Sequence, residues 1–125
     1  MTLDFIRDIN PYEEHAVRLS NFNSAQAGKF KQVVDDFIKN PTMVLDIADL
    51  DFIEAIDCRL RFRMADEDFG IQTNNVVQFY CDLTMESFKR MSVLLEPFTR
   101  KESKGFEWLY DVDTPIGLLF SAGEK

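Results

Sequence analysis

The most regular pattern in the chain is a strict alternation of apolar and basic side chains over residues 58–64. One face is apolar and the other is basic: Cys58, Leu60, Phe62 and Met64 against Arg59, Arg61 and Arg63. A period of two predicts a half-buried antiparallel strand. The stretch from Asp66 to Gly70 indicates a turn, and a second alternating segment predicts a strand over 75–82.

A second pattern, of helical period, covers residues 24–39. Apolar side chains recur three and four positions apart: Phe30, Val33, Val34, Phe37 and Ile38. Asn23 or Ser24 is the predicted N-cap. Asn40-Pro41 ends the helix, because the residue before a proline is pushed out of the helical region.

Two further helices are predicted from their capping signals. Asn10-Pro11 followed by Glu13 predicts a helix over about 11–20. Thr84 begins another, whose end is marked by Pro97. Residues 49–56 are ambiguous, and a short helix capped by Asp49 is favoured there.

The remaining segments complete an α+β pattern. Strands are predicted at 42–47, 106–111 and 116–121, and residues 3–9 are either a short strand or an irregular lead-in. Hairpins outnumber βαβ units in this order. We therefore expect a single α+β domain over residues 1–125, with a mainly antiparallel sheet of four to five strands packed against three helices. The last strand is apolar on both faces, which is typical of the middle of a sheet.

Composition limits the class of protein further. With 125 residues and 46% hydrophobic side chains, the chain needs neither a disulfide nor a metal to fold. Its acidic N-terminus lacks a signal-peptide pattern, and we expect a cytoplasmic protein that does not cross a membrane. Cys58 and Cys81 are predicted to be buried hydrophobic residues in a reducing compartment.

The net charge of −8 is concentrated in one stretch. Residues 35–57 hold seven acids against Lys39 alone, a net −6: Asp35, Asp36, Asp46, Asp49, Asp51, Glu54 and Asp57. One interpretation is a docking surface for a basic partner, because concentrated charge steers oppositely charged molecules. A solvated acidic face is the simpler alternative, and a Mg²⁺ or Ca²⁺ site would lack the spacing of a calcium loop. The net charge argues against nucleic-acid and anionic-membrane partners.

The other polar and aromatic candidates each have two interpretations. The arginines 59, 61 and 63 either contact phosphate or form an exposed strand face that pairs with nearby acids such as Asp66–Asp68. Tyr80 and Trp108 either pack in the core or anchor an interface. His15 is the only histidine, so no catalytic triad is favoured. We expect no enzyme, no cofactor, no catalytic residue and no metal site.

The C-terminal half carries one resemblance. The resemblance lies in a predicted strand–helix–hairpin sequence with five segments: Val76-Val77-Gln78-Phe79-Tyr80-Cys81-Asp82-Leu83, Phe88-Lys89-Arg90-Met91, Leu94-Leu95-Glu96-Pro97-Phe98, Gly105-Phe106-Glu107-Trp108-Leu109-Tyr110-Asp111 and Pro115-Ile116-Gly117-Leu118-Leu119-Phe120-Ser121. This sequence resembles small acidic immunity proteins encoded beside bacterial polymorphic or contact-dependent toxins. The resemblance implies a cytoplasmic protein that neutralises one cognate toxin domain by stoichiometric binding, with no catalytic residues.

Three hypotheses of function follow. The first is an immunity protein for a toxin domain such as a basic nuclease, with these candidate contacts: Asp46, Asp49, Asp51, Glu54, Asp57, Tyr80 and Trp108. The second is a small acidic secretion chaperone or adaptor that binds an effector segment. The third is a small enzyme using carboxylates and Arg59 or Arg61. Whether the protein is a monomer or a homodimer is left open by the sequence.

Overall fold

The computed structural model describes residues 1–7, 15–41, 44–102, 104–112 and 114–122. These residues form two α-helices, nine strands and a short 3₁₀ turn at Ile47–Asp49. In chain order the elements are β1 Thr2–Ile6, β2 His15–Ser20, α1 Ser24–Lys39, β3 Leu45–Asp46, β4 Glu54–Ala55, β5 Arg59–Met64, β6 Gly70–Thr73, β7 Gln78–Leu83, α2 Met85–Arg100, β8 Phe106–Tyr110 and β9 Ile116–Ser121.

The strands form two mixed sheets. The first sheet has the order β4-β1-β2-β9-β8, and the second has the order β3-β5-β7-β6. The pairs β1–β4, β2–β9 and β5–β7 are parallel, while β1–β2, β8–β9, β3–β5 and β6–β7 are antiparallel. The α+β class is confirmed, but the prediction of a single, mainly antiparallel sheet is wrong. Each helix carries the chain from one sheet to the other, and this brings sequence-distant strands side by side in parallel.

Both helices begin at capped residues. The Asn23 side chain accepts from the Gln26 N–H at 2.8 Å, and Gln26 accepts in return from the Asn23 N–H at 3.1 Å. Thr84 accepts from the Ser87 N–H at 3.2 Å. Pro97 lies inside α2 instead of ending it. The proline has no N–H to donate to the carbonyl of residue 93, so one helical hydrogen bond is missing. This gap lies on an exposed face of the helix, where water can bond to the carbonyl instead.

Two segments predicted to be helical do not form α-helices in the described residues, so the prediction of three helices is wrong. Of the helix predicted over 11–20, residues 15–20 form β2, and residues 8–14 lie outside the described residues. Because β2 pairs with β1 on one side and β9 on the other, tertiary pairing overrides the local capping signal. The segment 49–56 contains the end of the 3₁₀ turn and β4, which pairs with β1.

The strand predictions are confirmed at β5, β8 and β9 and shifted elsewhere. The strand predicted over 75–82 begins at Gln78, and β6 was not predicted. Of the strand predicted at 42–47, Leu45–Asp46 is a strand and Ile47 begins the 3₁₀ turn, while residues 42–43 lie outside the described residues.

Phenylalanine rings connect both sheets and both helices. Phe30 of α1 contacts Phe62 of the second sheet and Phe120 of the first, at ring-centroid distances of 6.3 and 5.8 Å. Phe88 of α2 lies 5.4 Å from Phe62. Both helices also pack against each other. The inner faces of the two sheets and the helix pair therefore share one continuous core. None of the helices in the described ranges combines the length and the apolar character needed to cross a membrane.

Gly117 permits the close packing of β8 on β9. A Cβ atom at position 117 would lie 2.7 Å from Cζ3 of Trp108. We predict that Gly117→Ala lowers the free energy of unfolding by about 1–3 kcal/mol, because the indole must move. Urea denaturation measures this. Gly28→Ala in α1 is the control: nothing lies within 4 Å of the new methyl group, and the helix should gain about 1 kcal/mol. Equal effects of both substitutions would contradict this packing.

Both cysteines are buried and free, as predicted. Burial, together with the charges of Asp57 and Asp4, raises the pKa of the Cys58 thiol to about 12. Burial likewise raises the pKa of Cys81. The thiolate is the reactive form, so we predict that the native protein barely reacts with an aromatic disulfide reagent at about pH 8. Both thiols should react after denaturation, and a fast-reacting thiol in the native protein would contradict this burial.

Candidate functional site

The outer face of the second sheet carries the arginine stripe of β5. Arg63 donates through Nε and Nη2 to the two carboxylate oxygens of Asp82, both at 2.7 Å. Asp82 stands directly opposite Arg63 on β7, and its side chain is only 9% exposed. A bidentate pair of this kind is among the stronger ion pairs, because both oxygens are engaged.

The other two arginines pair with acids of the stretch predicted to dock a partner. Asp46 accepts from Arg59 at 3.3 Å and from Arg61 at 3.1 Å, and Asp49 accepts from Arg59 at 2.5 Å. The hydrogen bond to Asp49 is the main reason that the pKa of Arg59 is raised. The arginines thus pair with Asp46, Asp49 and Asp82, whereas the sequence suggested Asp66–Asp68. Half-exposed ion pairs of this kind add little stability. Their effect here is on charge, because three carboxylates offset the positive charge of three arginines.

Residues 35–57 therefore do not form one acidic surface. Asp35 and Asp36 lie on α1, where Asp35 accepts from Lys31 at 2.9 Å and from the Ser92 hydroxyl. Asp46 and Asp49 are offset by arginines. The remaining carboxylates, which we call the acidic segment (residues 51–57), are exposed: Asp51, Glu54 and Asp57.

The acidic segment lies along an edge of the first sheet. Its central residues form β4, the edge strand beside β1. Asp57 follows β4, and its Oδ1 accepts from the Phe5 N–H at 3.0 Å. This bond holds one end of the segment against β1. The seven positions contain three acids and no lysine or arginine, so the segment presents negative charge on a largely fixed backbone.

The structure does not bring the two predicted aromatic contacts together. Tyr80 lies on β7 of the second sheet, with the Arg63 guanidinium 3.9 Å from its ring centroid. Trp108 lies on β8 of the first sheet and packs over Gly117. Both are half-buried. Each side chain has a packing partner within the chain, which is the simpler of the two interpretations.

Asp68 has a role that sequence reasoning missed. Its carboxylate accepts from the Thr84 N–H at 2.8 Å, from the Thr84 hydroxyl at 3.0 Å and from the Ser87 hydroxyl at 2.6 Å. Desolvation raises its pKa, but the bonds from Ser87 and Thr84 outweigh this effect and hold the pKa below the ordinary 3.8. Asp68 thus reinforces the start of α2 beside its dipole. The Thr84 cap was the available signal, but it does not reveal the partner 16 residues earlier.

An apolar groove lies between α1 and β3. It has a volume of 210 Å³, and its lining is Val33, Phe37, Val44 and Leu45, with Asp36 and Asn40 beside them. β3 is an edge strand of the second sheet. The groove is a second surface at which a partner segment could pack.

The metal and histidine candidates can be examined among the described residues. Within those ranges, no group of three or more histidine, cysteine or acidic side chains could hold a metal ion. His15 begins β2 instead of lying on the predicted helix, and its ring is 5.8 Å from that of Phe5. The described surface therefore consists of ion pairs on the second sheet and exposed carboxylates along the edge of the first.

No protein-family model matches this chain, and searches of curated proteins and of solved structures find no match either. A functional assignment therefore depends on the surface of the chain itself.

We predict that Asp68→Ala lowers the free energy of unfolding by about 1 kcal/mol at neutral pH, because α2 loses part of its cap. A carboxylate whose native pKa is lowered stabilises the fold above its unfolded pKa, and this contribution disappears as the pH falls through the native pKa. The difference from the wild type should therefore shrink below about pH 4. Urea denaturation across this range measures it, with Asp66→Ala as the exposed neighbouring control. A pH-independent difference would contradict this role of the carboxylate.

Proposed function

We propose that the protein is a stoichiometric inhibitor of a basic protein domain, an immunity protein that binds and neutralises a cognate bacterial toxin in the cytoplasm. One observation carries the proposal: the acidic segment keeps three exposed carboxylates after the arginines have offset Asp46, Asp49 and Asp82. In this proposal the chain performs no catalysis and needs no cofactor.

The partner's chemistry is inferred from this charge. A nuclease domain binds phosphates with lysine and arginine, and carboxylates can occupy the same positions through charge-assisted hydrogen bonds. Charge of opposite sign also accelerates encounter of the two proteins. A basic nuclease-like domain therefore fits the acidic segment better than a nucleic acid or an anionic membrane does.

The proposed contact residues differ in how much they contribute to attraction of the partner. Asp51, Glu54 and Asp57 supply most of the attraction. Asp46 and Asp49 contribute less, because arginines offset their charge. Tyr80 and Trp108 lie on different sheets, so one partner of ordinary size meets them only if it spans both sheets.

The apolar groove between α1 and β3 favours a second candidate, a secretion chaperone or adaptor that binds an effector segment. Such a segment would pack against Val33, Phe37 and Val44. Under this alternative Val44→Ser abolishes binding, and neutralising the acidic segment leaves the affinity unchanged. Size-exclusion chromatography separates the two candidates further, because chaperones of this kind are expected to be dimers.

The test of the immunity proposal is kinetic. The probe is the purified C-terminal domain of the protein encoded immediately upstream, and the variant combines Asp51→Asn, Glu54→Gln and Asp57→Asn. We predict an association rate at low salt that is about 10-fold lower or more, a small change in dissociation and a flatter salt dependence. Stopped-flow or surface-based binding measures both rates.

A matched variant controls for total charge. It combines Asp66→Asn, Glu67→Gln and Asp111→Asn, three exposed acids outside the acidic segment. Its association rate should stay close to that of the wild type. No binding of the upstream domain by the wild type would overturn the proposed function. Equal rates for the two triple variants would show that the acidic segment is not the binding surface.

A further inference from the structure

The turn between β6 and β7 exposes two neighbouring valines. Val76 and Val77 are 41% and 53% exposed, and Ile56 in the acidic segment is 56% exposed. Exposed aliphatic side chains are ordinary when scattered singly, but a contiguous group indicates contact with another molecule. These three are among the eight large apolar side chains that are exposed within the described residues.

Val77 lies beside the acidic segment. The Arg59 N–H donates to the Val77 carbonyl at 2.7 Å. Val77 therefore lies next to Arg59, two positions after the end of the acidic segment at Asp57. Strands β1 and β7 are also in side-chain contact, since the rings of Phe5 and Phe79 are 4.8 Å apart. We group Val76 and Val77 with Ile56 and Asp57 as the valine patch, because this backbone hydrogen bond joins the turn to the strand that follows the acidic segment.

The turn is held by a local network of hydrogen bonds. The Thr73 hydroxyl oxygen accepts from Val76 N–H at 3.0 Å and donates to the Gln78 carbonyl at 2.7 Å. The Asn75 side chain accepts from Val77 N–H at 3.0 Å and from Gln78 N–H at 2.9 Å. A partner that binds this turn loses little conformational entropy, because the backbone is already ordered.

The backbone at Val76 is strained. Its φ is +50°, in the left-handed region that β-branched residues rarely adopt. Glycine or asparagine would occupy this position at lower cost. The chain instead keeps a strained valine whose side chain is exposed, which makes a purely structural role for this residue a poor explanation. Strain of this kind is found at sites of recognition and catalysis.

We propose that the valine patch is the apolar anchor of the acidic segment, and that it inserts into an apolar pocket rimmed by basic residues on the partner protein. The inference rests on the proposed function and adds a specific contact to it. Charge complementarity defines the rim: Ile56 lies between Glu54 and Asp57 in the acidic segment, which contains no lysine or arginine. Two basic residues also lie near this end of the segment: the Arg7 guanidinium is 5.0 Å from the Phe5 ring centroid, and Arg59 bonds to Val77 through its backbone. Valine is uncommon at interface hot spots, so the contact area comes from the three aliphatic side chains together.

The test uses Val77→Ser and Val76→Asn with the upstream-encoded C-terminal domain as the probe. Asparagine tolerates the left-handed backbone, so Val76→Asn should preserve the turn. We expect each variant to dissociate about 10-fold faster or more while its association rate stays near that of the wild type. This pattern is the reverse of the one expected for the charge variant. Val93→Ser on α2 is the control, because Val93 is 69% exposed and lies outside the patch.

A second measurement guards against misfolded variants. In the wild-type protein with labelled valine methyl groups, addition of the same domain should shift or broaden the NMR signals of Val76 and Val77 and leave those of Val93 unchanged. If the wild type binds but the valine variants dissociate at the wild-type rate and these methyl signals do not move, the anchor is wrong and the proposed function stands. If the wild type does not bind, both inferences fail.

Discussion

The contact of Phe30 with both sheets is the constraint on which the rest of the structure depends. One ring from α1 packs against Phe62 of the second sheet and Phe120 of the first, so helices and sheets share a single apolar interior. Because the inner faces of the two sheets pack against the helix pair, the polar side of β5 must lie on the outer face of the second sheet. Three arginines on one strand repel each other unless acids from other elements approach them. Asp46, Asp49 and Asp82 meet this need.

This internal pairing determines where charge remains for recognition. Of the acids between Asp35 and Asp57, two lie on α1 and two are offset by arginines. The acidic segment is left as a compact source of negative charge along one sheet edge. Val76 and Val77 of the valine patch lie on a turn fixed by Thr73 and Asn75. In the proposed binding mode, charge that attracts the partner and apolar area that retains it are combined on one surface, with separate effects on the two rate constants.

Local patterns in the sequence predicted what depends on neighbouring residues. The stripe of α1, the alternation of β5 and the cap at Thr84 are all set within a few positions, and each is confirmed. The failures involve long-range pairing. A helix-like capping signal precedes β2, but residues 15–20 form a strand because β1 and β9 flank them. The pairing of Arg63 with Asp82 requires the parallel register of β5 and β7, which no local pattern specifies.

The candidate site was predicted in part for the same reason. Exposed acids at 51, 54 and 57 follow from the sequence, but the neutralisation of Asp46 and Asp49 does not. Amide hydrogen exchange of the whole chain, alone and with the upstream-encoded domain, tests the location of the site most directly. Binding at the acidic segment and the valine patch predicts slower exchange at residues 51–57 and 74–78 and little change along α2. Protection confined to α1 and β3, or no protection at all, would contradict it.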